Sequence, residues 1–179
     1  MAANQDTRDM ILKSIPQQHP FRFIDEILEL DESSIVGAYR FRAEEYFYKG
    51  HFPDCPITPG VLLIETMAQT GVVPLWLYLT MLQGHKSLQE TKEMITLFTL
   101  ADKVEFFGIV LPEERVVVRG EKLYFRRGSL KAKVSMEREN GELVCCGILA
   151  GTGVMLNETY GCCNRNGSRS AAWPRAGQF

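Results

Sequence analysis

Eleven residues, Gly50-His51-Phe52-Pro53-Asp54-Cys55-Pro56-Ile57-Thr58-Pro59-Gly60, lead into an apolar run from Val61 to Leu82 whose one acidic or basic side chain is Glu65. A neutral imidazole is a general base near neutral pH, which suits His51 to taking a proton. A carboxyl group walled by Leu62, Ile64 and Met67 is expected to have its pKa raised by desolvation, which makes Glu65 a proton donor. The dipole of a helix beginning at Gly60 opposes this by about 0.3 to 1 kcal/mol, up to about 2 in a partly buried site. Full desolvation moves a carboxyl by about 3 to 5 units at 1.36 kcal/mol each, so burial wins where it is nearly complete. The helix start also offers free amide hydrogens at Gly60 and Val61, able to hold an oxygen that gains negative charge. Base, acid and oxyanion donors together suit elimination of water from a β-hydroxy carbonyl compound, a reaction that needs no metal and no redox cofactor.

These groups must be positioned by the elements around them. The run from Val61 to Leu82 is apolar nearly all round, which predicts one buried helix with Pro59 and Gly60 at its start. Asp6 to Ser14 carries Met10, Ile11 and Ile15 at helical spacing and is ended by Pro16, a short amphipathic helix. His19 to Leu30 reads as a strand with imperfect alternation. A turn at Asp31-Glu32-Ser33-Ser34 leads to a second strand, Ile35 to Phe41. Ala43 to Lys49 is aromatic and irregular, a loop expected near the site. Beyond a polar connection from Gln83 to Glu93, where His85 reads as a surface histidine, come strands at Ile95–Phe107, Val116–Phe125, Leu130–Glu137 and Leu143–Val154. Asn140-Gly141 signals a two-residue hairpin. The class is therefore α+β: a curved, mostly antiparallel sheet wrapped round one long buried helix.

Composition sets the surroundings. The chain has 179 residues, 45% apolar and 23% charged, with a formal net charge of −2. That suits one domain and gives no electrostatic case for nucleic acid or an anionic membrane. A domain over residues 1–156 is expected, followed by a flexible or non-native tail over 157–179, which has no period and holds Arg165, Arg169 and Arg175. The first residues lack the basic cluster and apolar core of a signal peptide. The five cysteines are odd in number and form adjacent pairs at Cys145-Cys146 and Cys162-Cys163, with no CxxC spacing. This speaks against a disulfide framework or a zinc site and for a reducing cytoplasm. The apolar run is long enough to span a bilayer, but Glu65, Gln69, Gly71 and Pro74 interrupt it and no basic flank precedes it, so no membrane span is expected.

The motif Gly50-His51-Phe52-Pro53-x-x-Pro56-x-x-Pro59-Gly60-Val61-Leu62-x-x-Glu65-x-Met67-Ala68-Gln69 resembles the signature of the 3-hydroxyacyl-acyl carrier protein dehydratases of fatty acid synthesis, the FabZ-like family with the hot-dog fold. His19-Pro20-Phe21-x-Phe23-Ile24-Asp25, Phe98-x-x-x-Asp102-x-x-x-Phe106 and Arg126-Arg127-Gly128 extend the likeness over roughly residues 9 to 153. The resemblance implies that His51 and Glu65 are catalytic and that the Gly60 amide polarises the thioester carbonyl. It implies a substrate-binding set of Phe52, Pro59, Gly60, Val61 and Gln69, no cofactor, and acyl carrier protein as the partner. It also implies a homodimer whose sites draw on both subunits, with the acyl chain in a tunnel along the interface; dimers of the family often assemble into a trimer of dimers, and dimer and hexamer both stay open here. Glutamate rather than aspartate at position 65 is like the plain dehydratase branch. Departures fall at Phe106-Phe107-Gly108-Ile109-Val110-Leu111-Pro112-Glu113-Glu114, where the family has Phe-x-Arg-Pro-Val-x-Pro-Gly-Asp. They bear on carrier docking and tunnel shape.

Other readings of these residues are plainer. Gln69 shares the Glu65 face one turn on and reads either as a hydrogen-bond partner or as core filler. Cys55 has no adjacent base and reads as a small buried thiol. Arg126, Arg127, Lys131 and Lys133 with Lys103 suit a basic mouth for an acidic carrier, or a solvated strand face. Two alternatives to a dehydratase stand beside it: a hot-dog acyl thioesterase, and a non-catalytic acyl-binding relative.

Overall fold

The structure, a computed structural model, describes residues 2–84 and 94–155. Helix α1 (Gln5–Lys13) starts where the Asn4 side chain accepts from the Thr7 amide at 2.9 Å. Strands β1 (Glu26–Leu30) and β2 (Ser34–Arg40) follow, then a 3-10 turn at Tyr46–Lys49. Helices α2 (Gly60–Gly71) and α3 (Val73–Leu82) lead to β3 (Met94–Phe106), β4 (Arg115–Arg126), β5 (Ser129–Arg138) and β6 (Leu143–Met155). All six strands join one antiparallel sheet in the order β1-β2-β4-β5-β6-β3.

The expected arrangement is present: the sheet's inner face closes on α2 and α3 in the hot-dog manner. Strand β5 shows why. Leu130, Ala132, Val134 and Met136 alternate with polar residues and are fully buried, so one face of the strand is core throughout. Helix α2 lies against β2, β4, β5 and β6. At its end the chains nearly touch, because a Cβ built on Gly120 would lie 2.3 Å from the Gly71 carbonyl oxygen. Gly120→Ala is therefore expected to destabilise by about 1 to 3 kcal/mol through overpacking, read as a lowered midpoint in urea unfolding. An unchanged midpoint would show that the helix moves off the sheet at no cost.

Two sequence expectations are corrected and one is refined. The expected long helix is present over Gly60–Leu82, with a local break at Val72 (φ −116°), because Pro74 has no N–H to offer the Thr70 carbonyl and its ring crowds it. The stretch Gly60–Leu82 is long and apolar enough to cross a membrane, yet 72% of its most apolar window is buried inside the fold. The first strand begins at Glu26, not His19. The backbone of the intervening segment bonds to helix side chains instead: Phe23 N–H donates to Gln69 Oε1 (2.7 Å), while the Phe23 and Phe21 carbonyls accept from Thr70 Oγ1 (3.0 Å) and Gln69 Nε2 (3.1 Å). Asn140-Gly141 belongs to a three-residue loop. The Gly141 amide bonds to the Arg138 carbonyl, Gly141 takes φ +85°, and Arg138 pairs with Glu142. The two-residue turn is at Arg127 (φ +50°) and Gly128 (φ +73°), between β4 and β5. His85, the connection beyond residue 84 and the tail expected over 157–179 lie outside the described residues.

Candidate active site

His51 sits just past the 3-10 turn, in a loop tied down by its own backbone. Its amide donates to the Phe47 carbonyl (3.0 Å) and its carbonyl accepts from the Ile57 amide (3.0 Å). Below it the hydroxyls of Tyr48 and Thr58 are 2.6 Å apart, and burial pushes Tyr48 up to about 12. Phe47 meets Phe23 and Phe41 edge to face, so the aromatic loop packs into the core beside the site, as expected. His51 Nδ1 lies 2.8 Å from the Ile57 carbonyl oxygen. A carbonyl only accepts, so Nδ1 carries the proton and the neutral ring keeps its lone pair on Nε2. The ring stacks on exposed Phe52 with centroids 4.3 Å apart.

Pro59 occupies the N-cap of α2 and brings no capping side chain. The Leu62 and Leu63 amides both turn to the Pro59 carbonyl (2.9 and 3.2 Å). The Gly60 and Val61 amides are left without a protein acceptor among the described residues, facing outward at the positive end of the helix. Gly60 is also where the Phe106 ring presses on the backbone: an added Cβ would meet it at 3.2 Å. Val61 is 72% exposed.

Glu65 differs from expectation. It is half-buried, not enclosed, and Met67 is not part of its wall. At 100° per residue Met67 points to the opposite, core-facing side of α2, where it is fully buried. Glu65 instead opens on a narrow crevice of about 40 Å³ between the helices and the β3–β6 edge. Gln69 is the hydrogen-bond partner, not filler. It is fully buried, its Oε1 is claimed by the Phe23 N–H, and its Nε2 therefore donates to Glu65 Oε1 (2.8 Å) and the Phe21 carbonyl. One carboxylate oxygen is thus held by Gln69.

Within one chain His51 and Glu65 make no hydrogen bond to each other; the first is held by Ile57 and Phe52, the second by Gln69. Sequence reasoning missed Gln17 and Thr96. Each has a buried oxygen without a partner among the described residues, and each lines the crevice beside Glu65. They lie far from the motif along the chain, and nothing in the sequence marks them. Cys55 is exposed, in a turn closed by hydrogen bonds between Phe52 and Cys55, contrary to the expected buried thiol. Cys145 is the buried one, its thiol pushed up to about 12 by desolvation. Alkylation at pH 8 with peptide mapping is expected to label Cys55 in the native protein and Cys145 only after unfolding. Native labelling of Cys145 would contradict its burial.

The motif departures are structural here. Glu113 accepts from the Ala43 amide (2.8 Å) while Arg40 Nη1 donates to its carbonyl (2.6 Å), and Glu114 accepts from the Leu111 amide (2.8 Å) and pairs with Arg138. Both acids thus brace the loop after β3. The Arg126-Arg127 turn does not border the His51 loop of the same chain. It adjoins Trp76, whose Nε1 donates to the Gly128 carbonyl (2.7 Å), some sixteen residues or about 24 Å along the helical stretch from Gly60. Among the described residues no group of three or more His, Cys, Asp or Glu is placed to hold a metal ion.

Known proteins are similar to this chain in sequence and in fold. The FabA-like domain matches residues 15–145. A 3-hydroxyacyl-acyl carrier protein dehydratase, FabZ, from Caldicellulosiruptor bescii is 35% identical over 142 residues, covering 79% of this chain and 94% of that one. The FabZ of Streptococcus agalactiae is 32% identical over 140 residues, covering 78% and 91%. Among solved structures, the dehydratase heterocomplex ApeI:P from Xenorhabdus doucetiae superposes with a TM-score of 0.65 at 11% identity, over 83% of this chain and 93% of that one. A Pseudomonas aeruginosa thioesterase superposes at 0.51 and 12% identity, over 73% and 81%. The two superpositions speak to the hot-dog fold alone; the domain match over most of the chain and the identities above 30% go further, and on them this chain belongs to the FabA-like family of FabZ-type dehydratases.

Proposed function

We propose that the protein eliminates water from (3R)-3-hydroxyacyl thioesters held on acyl carrier protein, giving trans-2-enoyl thioesters in fatty acid or related acyl-chain biosynthesis. His51 Nε2 takes the α-proton. The Gly60 amide, with that of Val61 beside it, holds the thioester oxygen as electron density moves onto it. Glu65 gives its proton to the departing 3-hydroxyl, which leaves as water while the α,β double bond forms. The proton gained by His51 returns to Glu65 before the next turnover. Phe52 and Pro59 wall the approach to the thioester, and Gln69 holds Glu65 in place.

The observation that carries this reading is the His51 tautomer. The Ile57 carbonyl leaves the lone pair on Nε2, as a base requires, in a loop that runs straight into a helix start with two open amides. The related enzymes named as dehydratases are matched over nine-tenths of their length, which supports the same chemistry here. Since His51 and Glu65 do not meet within one chain, the working unit is a homodimer in which each site takes its histidine from one copy and its acid from the other. Strand β3 suits the joint: it is a thirteen-residue edge of the sheet and leaves Phe98, Leu100 and Phe106 exposed. The reaction takes place in the cytoplasm, where the carrier supplies its substrate.

The test is incubation with a carrier-bound 3-hydroxybutyryl thioester. Enoyl absorbance without thiol release is the expected result. Release of free thiol would make the protein a thioesterase, and neither product would leave it an acyl-binding relative.

A further inference from the structure

Six residues of the helical stretch face one crevice: Glu65, Ala68, Gln69, Val72, Val73 and Trp76. Their spacing follows one stripe, so the crevice runs along the helices from the acid toward α3. Its other wall is Leu97 and Phe98 of β3 with Gly151 of β6. Strand β3 runs counter to the helices, with Phe106 over Gly60 at one end and Met94 beside Trp76 and Gly153 at the other. The direction away from Glu65 therefore ends at the indole.

That indole is held from several sides. Trp76 is 2% exposed, and its Nε1 donates to the Gly128 carbonyl at 2.7 Å. A Cβ on Gly153 would lie 2.0 Å from its ring, so the strand accommodates the indole only because residue 153 is glycine. A side chain pinned by a hydrogen bond and pressed by backbone along the same edge does not swing away to admit a ligand. The space it leaves is small: about 40 Å³, whereas an apolar cavity of roughly 150 Å³ is what takes a benzene ring.

We propose that Trp76 is the specificity-determining residue for acyl length, closing the crevice beside Glu65 so that the enzyme works on short 3-hydroxyacyl chains. This assignment rests on the elimination reaction proposed above. With the reacting carbons at Glu65, where Gln17, Gln69 and Thr96 supply the polar lining, the chain beyond them enters the apolar part of the slot, between Ala68, Val72, Val73, Leu97 and Phe98, whose far end is blocked. Each methylene that fits is removed from water; those that reach the indole find no room. Misfit of even one methylene in such a slot changes turnover by about tenfold or more.

The experiment assays wild-type protein on carrier-bound 3-hydroxyacyl chains of four, six, eight and ten carbons, following enoyl absorbance, beside Trp76→Leu, Trp76→Phe and Val73→Leu. Thermal unfolding reports which variants are folded. Wild-type kcat/KM is expected to fall by about tenfold or more from the four-carbon to the ten-carbon substrate. In Trp76→Leu, and less so in Trp76→Phe, that ratio is expected to shrink by about tenfold, because the slot lengthens. Val73→Leu adds a methylene to the slot without opening a cavity and is expected to steepen the ratio. It decides the matter should both Trp76 variants fail to fold. A wild-type ratio near one, or a ratio that no folded variant moves, overturns the role given to Trp76 while leaving the dehydration intact. Absence of enoyl product at every chain length, in wild-type protein, overturns the elimination reaction itself and this assignment with it.

Discussion

His51→Ala is expected to lower kcat for enoyl formation by about 10² to 10⁴, the usual worth of a positioned general base, with little change in thermal stability. The ring is half-buried in a loop whose backbone bonds to Phe47 and Ile57 do not involve the side chain; only the Nδ1 contact is lost. No other histidine among the described residues stands in the motif loop to replace it. The measurement is steady-state absorbance at saturating substrate, so that a binding defect is not mistaken for a chemical one. Undiminished kcat would remove His51 from the mechanism and leave the open amides of α2 as a binding feature only.

Glu65→Gln is expected to cost a comparable factor, about 10² to 10⁴ in kcat, by a different route. The substitution is nearly isosteric, and the new amide oxygen still accepts from Gln69 Nε2, so the buried Gln69 keeps its partners and the fold is not disturbed. What is lost is a carboxyl proton for the departing hydroxyl. Because His51 and Glu65 belong to different copies in the proposed dimer, mixing the two inactive variants under conditions that exchange subunits should restore activity. Half of the dimers are then hybrids, each with one site built wholly from native residues, so about a quarter of the wild-type rate is expected. No recovery, with subunit exchange verified by mass, would place both residues of each site in one chain.

The chemistry proposed for the motif was legible because its parts are contiguous. A proline-pinned loop, a glycine at a helix start and one acid in an apolar run are local facts, and local facts decide backbone conformation and reactive groups. The sheet was legible for the same reason: the alternation of Leu130, Ala132, Val134 and Met136 is the pleat itself. The errors came where one pattern serves two purposes. Phe21 and Phe23 look like strand residues, but their backbone bonds to Gln69 and Thr70, a partnership no neighbouring residue announces. Pro74 was visible in the run, yet the run's unbroken hydrophobicity hid the break at Val72, since apolar character reports burial and not the hydrogen-bond ladder.

The sequence by itself marked the groups proposed to react, the open helix start and the class of the fold, since each depends on residue type and short-range spacing. Tertiary structure alone decided what surrounds them. It sent Met67 to the core and opened Glu65 on a crevice walled by β3 and β6, brought Gln17 and Thr96 to its side, and set the Trp76 indole against Gly153 at its end. The reason is physical: burial and contact follow from which faces pack together, and here those faces come from segments far apart in the chain that share no local signal.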